Sequence, residues 1–120
     1  MSLSSLVPMA FVKSVPRSVE FYKKLGFAEG NTHTPGGATE PSWVWLRSGG
    51  AHLMLAQASD PIDPQQQAIL FYVYCEDVAA FRDKLQSGVE AGPITRPFYA
   101  PRGEFRVTDP DGYALMVTHT

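Results

Sequence analysis

The sequence predicts an α+β fold built from two tandem βαβββ modules, and three observations carry that prediction. The elements read strand, helix, three strands, and then the same order again. Phe21, Lys24 and Leu25 of the first helix return as Phe81, Lys84 and Leu85 in the second, a shift of half the chain. Each helix is also followed by a hairpin with a glycine turn, Gly49-Gly50 in the first half and Asp111-Gly112 in the second. A chain of 120 residues holds one domain's core, and neither half alone buries its sheet. The expected organisation is a single domain over 1–120, with module one at 4–56, a linker at 57–67 and module two at 68–119.

Module one opens with an apolar strand, Leu6–Val12. Ser14 is placed to cap a helix that tolerates Pro16 in its first turn. That helix carries Val15, Val19, Tyr22 and Leu25 on one stripe and stops at Gly26. Strands follow at Ala28–Thr32, Trp43–Ser48 and Ala51–Ala56. Gln57 to Gln67 is polar and punctuated by Asp60-Pro61 and Asp63-Pro64, so it reads as the linker. Module two repeats the order with a strand at Ala68–Cys75. Asp77 caps a helix that turns Val78, Phe81 and Leu85 inward and stops at Gly88. Strands at Ile94–Tyr99, Glu104–Thr108 and Ala114–His119 complete it. The loop from Gly30 to Ser42, with Pro35, Gly36, Gly37 and Pro41, fits a mobile lid and a plain irregular connection equally.

Composition narrows the function classes. A hydrophobic fraction of 44% with 18% charged residues is that of a globular chain, which excludes disorder as the main state. Ten basic against twelve acidic residues give a formal charge of −2, and no basic run offers a stripe to phosphates, so nucleic acid is not an expected partner. One cysteine, Cys75, permits neither an internal disulfide nor a thiolate zinc cluster, which points to a reducing, cytoplasmic compartment. The longest apolar stretch, Ala68 to Cys75, falls well short of the roughly 20 residues of a membrane span, and no basic segment precedes an apolar one at the N-terminus. No membrane partner is expected.

Strand alternation sorts side chains onto faces. With Ser48 opposite Ala51 across the Gly49-Gly50 turn, Leu46 pairs with Leu53 and Val44 with Leu55 on an aliphatic face, while Arg47 pairs with His52 and Trp45 with Met54 on the other. In the last hairpin Val107 meets Leu115 and Phe105 meets Val117, leaving Arg106 beside Met116 and Glu104 beside Thr118. Ile69, Phe71, Val73 and Cys75 share one face of their strand; Leu70, Tyr72 and Tyr74 share the other. The mixed faces therefore hold Trp43, Trp45, Tyr72 and Tyr74 among Arg47, His52, Glu104 and Arg106. Rings with a few converging polar groups describe a small-molecule pocket, and equally a sheet face covered by a loop or another subunit.

Two stretches, Ser18-Val19-Glu20-Phe21-Tyr22-Lys23-Lys24-Leu25-Gly26-Phe27 and Arg102-Gly103-Glu104-Phe105-Arg106-Val107-Thr108-Asp109-Pro110-Asp111-Gly112-Tyr113, give the chain its resemblance to the vicinal oxygen chelate superfamily. That superfamily includes glyoxalase I, extradiol dioxygenases and bleomycin resistance proteins, and the resemblance runs from Val7 to His119. It implies that each module curls its sheet around part of a cavity. It also implies a divalent metal in the enzymes, held by one side chain from each of four strands. Counted from the matched motifs, those places fall at Val7, at or near Met54, at Leu70 and at Met116. None offers imidazole or carboxylate, and hydrocarbon and thioether side chains do not replace a cation's hydration shell. The resemblance is therefore to the metal-free, bleomycin-resistance-like members, which implies sequestration of a ligand by a homodimer rather than turnover.

The expected function is capture of an aromatic small molecule, an antibiotic or a metabolite, with no cofactor and no metal. Trp43, Trp45, Tyr72 and Tyr74 would stack, Met54 and Met116 would line the site, and His52, Glu104 and Arg106 would anchor polar groups; Arg47 is a further candidate, though its place near the turn favours a solvated face. The alternative is a lyase, isomerase or dioxygenase of the same superfamily, using a relocated metal near His52 and Glu104 or an acid-base pair. His119 has the wrong parity for such a cluster, and His33 sits at a loop edge. Arg106 fits a clamp on a ligand carboxylate or phosphate and a solvated face equally. Cys75 shares its parity with Phe71 and Val73, which buries it against the second helix as a structural thiol. No nucleophile elbow, phosphate-binding glycine loop, dinucleotide fingerprint or paired-histidine zinc motif is present. A homodimer is expected because the curved sheets leave edges and an aromatic face to cover.

Overall fold

A computed structural model of the chain describes residues 1–85 and 87–120. The chain divides into two compact units, Met1–Ile62 and Asp63–Thr120, each an α+β unit in its own right.

In the first unit β1 (Met9–Val12), α1 (Val15–Lys24), β2 (Ala28–His33), β3 (Trp43–Ser48) and β4 (Ala51–Gln57) form a four-stranded sheet of order β1-β4-β3-β2 under one helix. β1 runs parallel to β4, and the other pairs are antiparallel. The Ser14 hydroxyl accepts from the Arg17 amide at 3.3 Å, and proline in the first turn gives up an N–H that has no helical partner there. Val15, Val19, Tyr22 and Leu25 then face Val12, Val44, Leu46 and Leu55, all buried. The tyrosine is wholly buried, edge-on to Phe21 and Phe27. The expected hairpin register holds: Trp45 lies opposite Met54 and Arg47 opposite His52.

The second unit carries β5 (Leu70–Cys75), α2 (Val78–Asp83), β6 (Phe105–Thr108) and β7 (Ala114–His119), in the order β5-β7-β6. β5 is parallel to β7 and β6 antiparallel to it. Asp77 caps α2 by accepting from the Ala80 amide at 3.0 Å. Phe105, Val107, Leu115 and Val117 are buried on the face toward α2, with the Phe81 and Phe105 rings 6.4 Å apart. The β6–β7 loop is held by Asp109, whose carboxylate accepts from the amides of Asp111 and Tyr113 at 2.9 Å each. Gly112 has φ +87°, and a Cβ there would lie 2.0 Å from the Pro64 carbonyl oxygen, so both backbone conformation and space require glycine.

Several expected boundaries move. β1 begins at Met9 rather than Leu6, because Pro8 has no N–H to give a ladder and Leu6 stands exposed. β5 begins at Leu70 rather than Ala68, where its partner β7 begins at Ala114. The expected strand at Ile94–Tyr99 is absent: within it only Thr95 makes an isolated bridge, to Glu104, and a second lies just upstream, between Ala91 and Val107. Pro93, Pro97 and Pro101 remove ladder donors from that stretch. α2 ends at Asp83 instead of running to Gly88, its last turn tightening as the Leu85 amide donates to the Arg82 carbonyl. Residue 86, within the expected helix, lies outside the described residues. His33 ends β2 opposite Trp43, at the edge of the loop that follows, as expected. Cys75 is half-buried rather than enclosed.

Candidate functional site

The first unit's mixed face is built by β3 and β4. Trp43, Trp45 and Met54 are half-buried there, whereas Arg47 and His52 are exposed. The Trp45 indole donates to His52 Nδ1 at 3.1 Å, and the two rings meet edge-on with centroids 5.7 Å apart. A neutral His52 accepting at Nδ1 keeps its proton on Nε2, so the indole fixes the tautomer. Met9 of β1 lies level with Met54, and Met9 and Phe11 are exposed along this edge strand. A cavity of about 200 Å³ lies at the ends of β1 and β4, lined by Lys13, Gln57, Ala58, Asp60, Pro61 and Ile62. None of the residues expected from sequence to bind a ligand lines it.

The second unit's mixed face is ordered in rows across its three strands. Tyr72, Met116 and Arg106 form one row, since Tyr72 pairs with Met116 and Met116 with Arg106. Tyr74 pairs with Thr118, and continuing the β6 register by one residue brings Glu104 to the same level. The rings of Tyr72 and Tyr74 are stacked at 6.2 Å with 28° between their planes, and both stay exposed. Arg106 is exposed and Met116 half-buried. Glu104 differs from all of these, being 3% exposed. Its Oε2 accepts from the Tyr99 hydroxyl at 3.3 Å, while its Oε1 is buried without a hydrogen-bond partner.

Tyr99 is a member of this group that the sequence reading missed. It belongs to the proline-rich stretch read as a strand, in the turn between the bridged residues Thr95 and Glu104, where alternation does not decide which side chains meet. The Glu104 carboxylate raises the Tyr99 phenol above its ordinary range, with burial and Tyr72 adding to the shift. Gly103, at φ +103°, turns the loop into Glu104 and packs so close to Ile94 that a Cβ would lie 2.7 Å from its methyl. The turn between Thr95 and Glu104 is thus fixed immediately before the carboxylate. Cys75 lies outside both groups: burial, then the Asp77 carboxylate, push its thiol up, as befits an unreactive cysteine.

Metal chemistry of the superfamily's kind does not fit the residues present. Val7, Met54, Leu70 and Met116 provide no nitrogen or oxygen donor from their side chains. Among the described residues no three of His, Cys, Asp or Glu lie close enough together to hold an ion.

Paired strand-helix-strand units, each with a ring-bearing sheet face, define a glyoxalase-like class of fold. The chain belongs to the Glyoxalase/Bleomycin resistance protein/Dioxygenase superfamily, whose family model matches residues 5–117. Among solved structures it is similar to a bleomycin resistance determinant encoded on the transposon Tn5, at 16% identity and a TM-score of 0.76, covering 98% of each chain. It is also similar to the bleomycin-binding protein of Streptomyces verticillus in complex with copper(II)-bleomycin, at 18% identity and a TM-score of 0.75, covering 100% of this chain and 98% of the other. A third is TnmS3, an antibiotic binding protein from Streptomyces sp. CB03234, at 18% identity and a TM-score of 0.74, covering 99% of this chain and 98% of the other. At these identities the likeness is one of fold. No curated protein matches the sequence significantly. No described helix is long and apolar enough to cross a membrane.

Proposed function

We propose that this chain is a metal-free binding protein of the superfamily that captures an aromatic small molecule, an antibiotic or a metabolite, and does not convert it. The observation that supports this reading best is the second unit's face, where the exposed, stacked rings of Tyr72 and Tyr74 stand beside Met116 and Arg106. Flat side chains with two rotatable bonds bury much area for little lost entropy, so such rings make an economical wall. Trp43, Trp45 and Met54 offer a second apolar wall in the first unit, with Arg47 and His52 at its polar margin. The antibiotic-binding activities named for the similar structures point the same way.

Calorimetric titration with 1-naphthalenemethanol, a neutral bicyclic probe, tests this. Saturable binding that weakens in the double variant Tyr72→Ala, Tyr74→Ala is expected; no saturable binding, up to solubility, of this probe or of its amine and carboxylate analogues contradicts it. The competing reading, an acid-base lyase or isomerase, draws on the Tyr99–Glu104 hydrogen bond. Its metal-dependent form requires about one ion per chain retained after exposure to nickel, zinc, manganese and ferrous iron and desalting, whereas capture without metal requires none.

The proposal extends to a cytoplasmic homodimer. β1 ends the first unit's sheet and β5 the second's; Met9 and Phe11 along the one and Leu70 along the other are exposed, and each edge is one that a second copy would protect. A light-scattering mass of twice 13.2 kDa is expected, and a mass of 13.2 kDa at micromolar concentration contradicts it.

A further inference from the structure

A carboxylate buried with one oxygen unpartnered is costly, because its lost hydration is not returned by the protein. Glu104 is such a group: 3% exposed, with Tyr99 occupying Oε2 and nothing on Oε1. It precedes Arg106 by two residues, so strand alternation starts its side chain from the face that carries Arg106, Met116 and Tyr72. Tyr74 lies at its own level, paired with Thr118. Tyr99, which holds Oε2, also lies near enough to Tyr72 for the two phenols to interact, and Tyr72 stacks on Tyr74, so an oxygen that accepts hydrogen bonds shares this face with two rings, and both have the same chemical complement. A cationic nitrogen donates to the oxygen and is attracted to the rings.

From this juxtaposition we infer that Glu104 is the specificity-determining residue of the second unit's face, selecting aromatic ligands that carry a protonated amine over neutral or anionic ones. The inference rests on the proposal that this face captures aromatic compounds. Arg106 carries the opposite charge in the neighbouring row, but it is exposed, so water and salt screen its field. Glu104 is buried, where screening is weak and a charge-assisted hydrogen bond is worth more. The buried charge therefore decides the preference, and Arg106 is left to meet an anionic substituent elsewhere on the ligand.

Three probes that share one ring system separate the terms: 1-naphthylmethylamine, protonated near neutral pH, 1-naphthalenemethanol and 1-naphthylacetate. Calorimetric titration of the full chain is expected to show the amine binding about tenfold or more tighter than the alcohol, with the acetate weakest. In Glu104→Gln, which keeps the shape and removes the charge, the amine and the alcohol are expected to bind within about twofold of each other. Equal binding of amine and alcohol by the unaltered chain, tightest binding of the acetate, or a preference that survives in Glu104→Gln overturns the inference. The first comparison needs no variant and so does not depend on Glu104→Gln folding. Binding of the alcohol without preference for the amine overturns the inference alone, whereas binding of none of the three overturns the proposed capture as well.

Discussion

The two units carry similar ring-bearing faces and treat their polar groups in opposite ways. In the first, the group at the rim is His52, and Trp45 satisfies its Nδ1 at 3.1 Å. In the second, Glu104 is buried, and Tyr99 satisfies only one of its two oxygens. A face that closes its own hydrogen bonds gains stability from them. A face that leaves a buried acceptor open gives up stability and keeps a place for a donor from outside. The difference separates a wall from a recognition element, although both faces read alike by parity and composition.

The largest effect is expected beneath the second face. Phe105 is buried between the sheet and Phe81, so Phe105→Ala is expected to cost about 3–5 kcal/mol in denaturant unfolding. A cost under about 1 kcal/mol would show that the sheet holding Glu104 is not set by this packing. Next is Gly112→Ala, where the left-handed conformation and the Pro64 carbonyl both resist a methyl group; a loss of about 1–3 kcal/mol is expected, and no loss would mean that the Asp109 turn rearranges freely.

A direct contrast follows between the two polar groups. His52→Ala removes the acceptor of the half-buried Trp45 indole and is expected to lower stability by about 0.5–1.5 kcal/mol. Glu104→Gln retains an acceptor for Tyr99 and removes the buried charge, so it is expected to leave stability unchanged or raise it by up to about 1 kcal/mol. Opposite signs would reverse the roles assigned to the two faces. The smallest effect concerns Cys75, whose raised thiol pKa lowers the thiolate fraction below that of a free cysteine at every pH short of full ionisation. Alkylation by iodoacetamide at pH 8 is expected to be slower than for free cysteine and to accelerate as the pH rises past the ordinary thiol range; equal rates at pH 8 would contradict the burial of this strand's inner face.

Much of this architecture was legible because short-range chemistry determines it. Ser14 and Asp77 mark both helix starts, and the Gly49-Gly50 turn sets the register that puts Arg47 opposite His52 and Trp45 opposite Met54. The last hairpin likewise places Arg106 against Met116. The failures fall where proline replaces periodicity. Pro93, Pro97 and Pro101 leave the stretch around Ile94–Tyr99 without a ladder, although its Ile, Phe and Tyr suggested a strand. With that segment misread, Tyr99 could not be brought to Glu104, because the hydrogen bond forms within the turn between the bridged residues Thr95 and Glu104 rather than by alternation. The burial of Glu104 was equally out of reach: parity places a side chain on a face and leaves open how much of that face is covered.

The central claim is that aromatic capture is centred on the second unit's face. Aromatic proton and carbon NMR shifts of the chain, followed during titration with 1-naphthylmethylamine, test it most directly. The account predicts that Tyr72, Tyr74 and Tyr99 resonances shift together and saturably, and that they do so by more than those of Trp43 and Trp45. Shifts confined to the two tryptophans, with the three tyrosines unmoved, would contradict it.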